Sequence, residues 1–75
     1  MSNTLLKQRL ETCFNLDNVV VHDTIIHFDY KGDYYCCISR VDYCFKEMDV
    51  PDICVEDLST FIGVLNFIKN FDGKK

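Results

Sequence analysis

Glycine and proline are scarce, at three residues and one, and tryptophan is missing altogether. A chain so poor in breakers is neither collagen-like nor a low-complexity linker, because both need those residues in bulk. Long apolar runs are lacking too. The best, Phe61 to Ile68, is broken by Gly63 and Asn66, well short of the roughly 20 apolar residues that cross a bilayer. No membrane association is expected. The patterns G-x-x-x-x-G-K-[ST], G-x-G-x-x-G and H-E-x-x-H do not occur, so nothing points to a phosphate cradle, a dinucleotide turn or a zinc-protease helix. The opening Met1-Ser2-Asn3-Thr4 leads straight into a mixed segment, which predicts no signal peptide.

With those classes set aside, 75 residues that are 48% hydrophobic and 27% charged describe one small globular domain over residues 1–75. Five cysteines without an export signal predict a reducing cytoplasm, the host's if the chain is phage-encoded. The odd count leaves one thiol outside any full disulfide scheme. The net charge of -4 is uneven. From Asp17 to Asp57, ten acids face Lys31, Arg40 and Lys46, a local balance of -7. Nucleic-acid binders neutralise phosphates with Lys and Arg, so this sign argues against direct nucleic-acid binding. It suits a protein partner with a basic surface.

Leu5, Leu6, Leu10, Cys13 and Phe14 mark one face of a helix over Thr4 to Phe14, with Ser2, Asn3 or Thr4 to cap it. Asn15 to Asn18 reads as a polar connection. Val19-Val20-Val21 and Ile25-Ile26 are β-branched and favour strands, with His22-Asp23 a turn or bulge between them. Lys31-Gly32-Asp33 turns the chain into a returning strand from Tyr34 to Tyr43. A three-residue loop from Tyr30, with Phe28 opposite Tyr34, puts Ile26, Phe28, Tyr34, Cys36 and Ile38 inward. His27, Asp29, Tyr35, Cys37 and Ser39 then face out. A two-residue Gly32-Asp33 turn would swap the faces of the second strand. Cys44 to Cys54 reads as irregular, with Pro51 a break and Val50, Ile53 and Val55 a short edge segment. The last element is a helix from Glu56 to Phe71, stopped at Gly73. These elements predict a two-layer α+β fold of about three antiparallel strands, ordered α-β-β-β-α, with both helices on one face.

On the last helix, Leu58, Phe61, Ile62, Val64, Leu65, Phe67, Ile68 and Phe71 fill an arc of about 220 degrees, whereas a helix on a sheet buries roughly 100 to 150. The excess flank is Val64, Phe67 and Phe71. It meets the first helix, or it is a self-association surface that makes a homodimeric structural or accessory protein.

Cys13, Cys36, Cys37, Cys44, Cys54, His22 and His27 invite a zinc-dependent or thiol-active alternative. The spacing speaks against a metal, because adjacent Cys36 and Cys37 on a strand point to opposite faces. His22 and His27, five apart, do so too if the strand is continuous. Cys37 beside His27 resembles a nucleophile pair, yet it needs a depressed thiol pKa and a pocket. Buried thiols fit better. We therefore expect no enzyme, no catalytic residue, no cofactor and no metal.

Tyr30, Tyr34, Tyr35 and Tyr43 could stack on single-stranded bases, but the basic groove this requires is replaced by Asp23, Asp29, Asp33 and Asp42. Acids interleaved with tyrosine suit a protein-binding face and permit nucleic-acid mimicry. The expected partner-binding residues are His27, Asp29, Asp33, Tyr35, Asp42 and Tyr43. The expected function is a small acidic inhibitor of a nucleic-acid-handling host protein, of phage or mobile-element type. An anti-CRISPR-like counter-defence role suits the size and charge by analogy.

Overall fold

The computed structural model describes residues 3–73, and Ser2 and the Lys74-Lys75 tail lie outside them. Helix α1 is Asn3–Phe14; strands β1 to β4 are Asp17–Val21, Ile25–Tyr30, Tyr34–Ser39 and Phe45–Asp49; helix α2 is Val55–Gly73. The strands form one antiparallel sheet in the order β1-β2-β3-β4. Leu6 and Leu10 of α1 share one buried cluster with Phe61, Val64 and Ile68 of α2 and with the inward strand residues. Both helices therefore cover the same face of the sheet. The α+β class holds, with four strands instead of three and the order α-β-β-β-β-α.

The extra strand is β4, where the sequence reads as irregular. Phe45-Lys46-Glu47-Met48-Asp49 has no β-branched residue and no strict alternation. A register shift explains the pattern: Cys37 pairs with Glu47 but Ile38 pairs with Phe45, so Lys46 is an extra residue. Phe45 and Met48 thereby both pack on the core although they are three apart. The bulge erases the period-2 signal. A second shift, between Asp17 and Val20, lets β1 begin inside the expected polar connection. Asn15 and Asn18 there take φ of 54° and 50°, a conformation that Asn tolerates.

The β2–β3 turn is the three-residue Lys31-Gly32-Asp33, with Gly32 at φ 77°. Tyr30 lies opposite Tyr34, Phe28 opposite Cys36 and Ile26 opposite Ile38. The expected pairing of Phe28 with Tyr34 is thus two residues out. An even slip preserves the faces, so Ile26, Phe28, Cys36 and Ile38 are buried inward as expected. The returning strand stops at Ser39, earlier than Tyr43, because the Ser39 hydroxyl accepts from the N–H groups of Val41 (3.1 Å) and Asp42 (3.4 Å) and turns the chain.

Phe61 centres the core, with its ring 6.2 Å from Phe28, 5.4 Å from Tyr30 and 6.0 Å from Tyr34. Buried aromatics of this kind contribute roughly 3–5 kcal/mol each. The wide apolar arc of α2 also resolves. Val64 is fully buried, and Phe67 meets Phe14 of α1 edge-on at 5.7 Å, with Phe71 stacked behind it. Of the two readings of that flank, the contact with α1 is the one that Phe67 makes. The apolar residues left exposed on α2 are Val55, Leu58 and Ile62, at 83%, 42% and 48%.

Candidate functional site

Because both helices sit on one face, the other face of the sheet is open. Strand alternation and the observed register decide what it carries. Asp17 pairs with Asp29, Asp29 with Tyr35 and Tyr35 with Asp49, a row across all four strands. At about 4.8 Å between strands this row spans roughly 14 Å. Val20, His27, Cys37 and Glu47 form the adjacent row. The rings of His22, His27 and Tyr35 follow one another at 5.8 and 6.2 Å.

The face is electrostatically one-sided. Asp29 accepts a hydrogen bond from the Asn18 amide at 2.8 Å. Among the described residues, no ion pair reaches Asp17, Asp29, Glu47 or Asp49. The Tyr35 hydroxyl is held above its ordinary pKa, first by burial and then by the negative field of Cys37, Glu47 and Asp29.

The expected partner-binding residues divide into separate groups. His27, Asp29 and Tyr35 lie together on this face. Asp33 is exposed in the β2–β3 turn, at one end of β3, and Asp42 and Tyr43 lie beyond its other end. The Asp42 carboxylate is already engaged: the Ser39 hydroxyl, the Cys44 thiol (3.3 Å) and Lys46 (3.4 Å) hold its pKa down to about 2. The Tyr43 hydroxyl donates to Asp72 at 2.7 Å. Asp42 stays exposed and Tyr43 is half-buried. Asp17, Glu47 and Asp49 join the face unforeseen, because their strands begin or lie where the sequence reads as loop.

The expected turn at His22-Asp23 stands between β1 and β2. β1 ends at Val21, so the strand is not continuous, and His22 folds back onto His27. Even so, among the described residues no group of three or more His, Cys, Asp and Glu is placed to hold a metal ion. Cys37 does lie opposite His27. Its thiol pKa is raised by burial and then by Glu47, the reverse of what activates a nucleophile. Cys36 is pushed up to about 12 by burial and by Cys37. These thiols behave as small packed hydrophobes. One groove, of about 490 Å³, lies elsewhere, between Tyr43, Lys69, Asn70, Asp72 and Gly73. Among the described residues, no helix is long and apolar enough to cross a membrane.

Comparison of the chain with protein-family models, with curated proteins and with solved structures gave no match.

Proposed function

We propose that this chain is a non-enzymatic protein-binding module whose open sheet face engages a basic surface on a partner protein. The observation that carries this reading is the row Asp17–Asp29–Tyr35–Asp49, which no cation of the chain neutralises among the described residues. Like charges directly opposite on neighbouring strands are destabilising, and Asp17 faces Asp29. A partner's Lys and Arg side chains relieve that repulsion on binding. Tyr35, between two carboxylates, supplies contact area with a polar tip.

A basic surface of this kind is what nucleic-acid enzymes present to phosphates. The proposed mode is therefore inhibition, with the acidic row occupying the place of a nucleic-acid backbone. The counter-defence setting is carried over from size and charge by analogy.

The test is affinity capture with the tagged chain from lysate of its own source cells, followed by kinetics on the captured protein. Association should be fast at low salt and slow steeply as salt rises. The double reversal Asp29→Lys/Asp49→Lys should slow it about tenfold or more and flatten the salt dependence. Duplex DNA or structured RNA should compete with the chain for the partner. Unchanged association by the double variant would overturn the assignment of this face.

A further inference from the structure

We infer that the free edge of β4, together with the exposed flank of α2, accepts an extended segment of the partner in which basic and apolar residues alternate. This deepens the protein-binding reading above and rests on it. β4 is the last strand of the sheet, so one side of its backbone has no neighbouring strand. Such an edge is a template for an added strand. Val55, Leu58 and Ile62 lie three and four residues apart and so form one line along α2. The opposite side of α2 carries Gly63, next to Phe14, and Phe67, and is covered by α1. Because α1 packs over β1 at the far edge of the sheet, the Leu58/Ile62 line lies on the flank of α2 away from α1.

Charge selects the occupant. Between Asp42 and Glu56, Lys46 is the sole cation in the sequence, and it pairs with Asp42. Glu47, Asp49, Asp52 and Glu56 are left exposed around the edge without an ion pair among the described residues. In a strand laid on β4, alternate side chains fall on opposite faces. One set would stand beside Glu47 and Asp49 on the open face, where Lys or Arg is favoured. The other would stand on the helix side, near Leu58 and Ile62, where Val or Ile is favoured.

A second copy of this chain fits the edge poorly. Two-fold antiparallel pairing keeps each side chain on its own face. Centred on Lys46 it opposes Lys46 to itself, centred on Glu47 it opposes Glu47 to itself, and centred on Met48 it opposes Glu47 to Asp49. Each of these three registers sets like charges against each other, and one centred on Phe45 leaves Met48 and Asp49 outside the strand pairing.

The probe is a synthetic nine-residue peptide of alternating Lys and Val, titrated into isotope-labelled full-length chain and followed by NMR. Two further peptides carry N-methyl groups on either all Lys or all Val backbone nitrogens, which removes one set of amide donors and leaves every side chain in place. The unmodified peptide should shift the amides of Glu47 to Asp49 and protect them from exchange. One N-methylated series should bind at least tenfold more weakly, while the other keeps its affinity. Glu47→Lys/Asp49→Lys and Ile62→Asp, both at exposed positions, should each weaken binding about tenfold, and a Glu/Val peptide should not bind. Binding that responds to Glu47 and Asp49 but is equal for all three Lys/Val peptides would overturn strand addition and leave the acidic-face reading standing. No binding by the Lys/Val peptide overturns it as well. So does sedimentation of the chain as a dimer that Ile62→Asp converts to monomer, which would give the flank to a second copy. Asp29→Lys, on β2 and away from the edge, separates the two ideas: it should impair capture of the whole partner yet barely affect the peptide.

Discussion

Two populations of carboxylates coexist in this small chain, and they are treated in opposite ways. Asp72 sits in the last turn of α2, where the helix dipole disfavours negative charge. There it is clamped by Arg40 through two bonds, at 2.6 and 3.1 Å, and by the Tyr43 hydroxyl. Arg40 also reaches Asn3 and the His22 carbonyl, both at 2.8 Å. One guanidinium thus ties both helices to two loops. Asp57, in the favourable first turn of α2, takes Lys31 at 2.9 Å. Asp17, Asp29, Glu47 and Asp49, on the open face, receive no cation at all among the described residues. The ion pairs that join separate elements, Lys31–Asp57 and Arg40–Asp72, each place a cation on a carboxylate of α2. Negative charge on the open face is left without a cation among the described residues.

Arg40→Leu separates the two populations most strongly. The Arg40 and Asp72 side chains are only 7% and 6% exposed, so the variant strands a buried carboxylate at the wrong end of a helix. Unfolding stability by urea titration should fall by about 3–5 kcal/mol. Arg40→Leu/Asp72→Leu should recover much of that, because an apolar pair removes the orphaned charge. A loss below about 1 kcal/mol for Arg40→Leu would place Asp72 in the same class as the surface acids.

A smaller effect separates the populations by pH. Hydrogen bonding to Lys31 is the main cause holding the Asp57 pKa below its ordinary value of 3.8, and Asp42 is held at about 2 chiefly by the Ser39 hydroxyl. A carboxylate with a depressed folded pKa stabilises the fold above its unfolded pKa and loses that contribution as pH falls through the folded one. Stability should accordingly be level near neutrality and fall from about pH 4 towards pH 2. Lys31→Met should shrink this acid limb and lower neutral-pH stability by less than Arg40→Leu does. An acid limb unchanged in Lys31→Met would detach Asp57 from the folding set.

The sequence made the elements of the fold partly visible and the acids of the open face much less so, for identifiable reasons. Helices α1 and α2 and the β2–β3 hairpin follow from apolar spacing and from Gly32 in its turn. Register slipped by two residues without changing a face, because pattern fixes parity more firmly than pairing. β4 and the start of β1 were hidden by bulges, which break the alternation that advertises a strand. With them went Asp17, Glu47 and Asp49, since a residue's face is undefined until its strand is known. The Tyr43 bond to Asp72 is hidden from the sequence for a different reason. Polar, exposed-looking residues near a hairpin give no hint of a partner 29 residues away, such as Asp72. His22 and His27 meet because a turn intervenes at His22-Asp23, as the β-branched runs on either side of it suggest.

The finest test asks whether the surplus charge is a burden on the free protein. Asp17 is exposed and lies opposite Asp29, whose carboxylate takes its hydrogen bond from Asn18. Replacing Asp17 by Asn keeps the shape and removes one of two opposed charges. If these acids contribute to folding, Asp17→Asn should destabilise like any lost polar contact. If they exist for a partner, it should stabilise the isolated chain by roughly 0.2–1 kcal/mol, the scale of cross-strand pair effects. The gain should diminish in high salt, where surface repulsion is already screened. The same variant should bind the captured partner more weakly, most of the change lying in the association rate. Opposite signs for stability and binding from a single conservative change are what a face held ready for a partner requires, and a purely solvating surface has no reason to produce them.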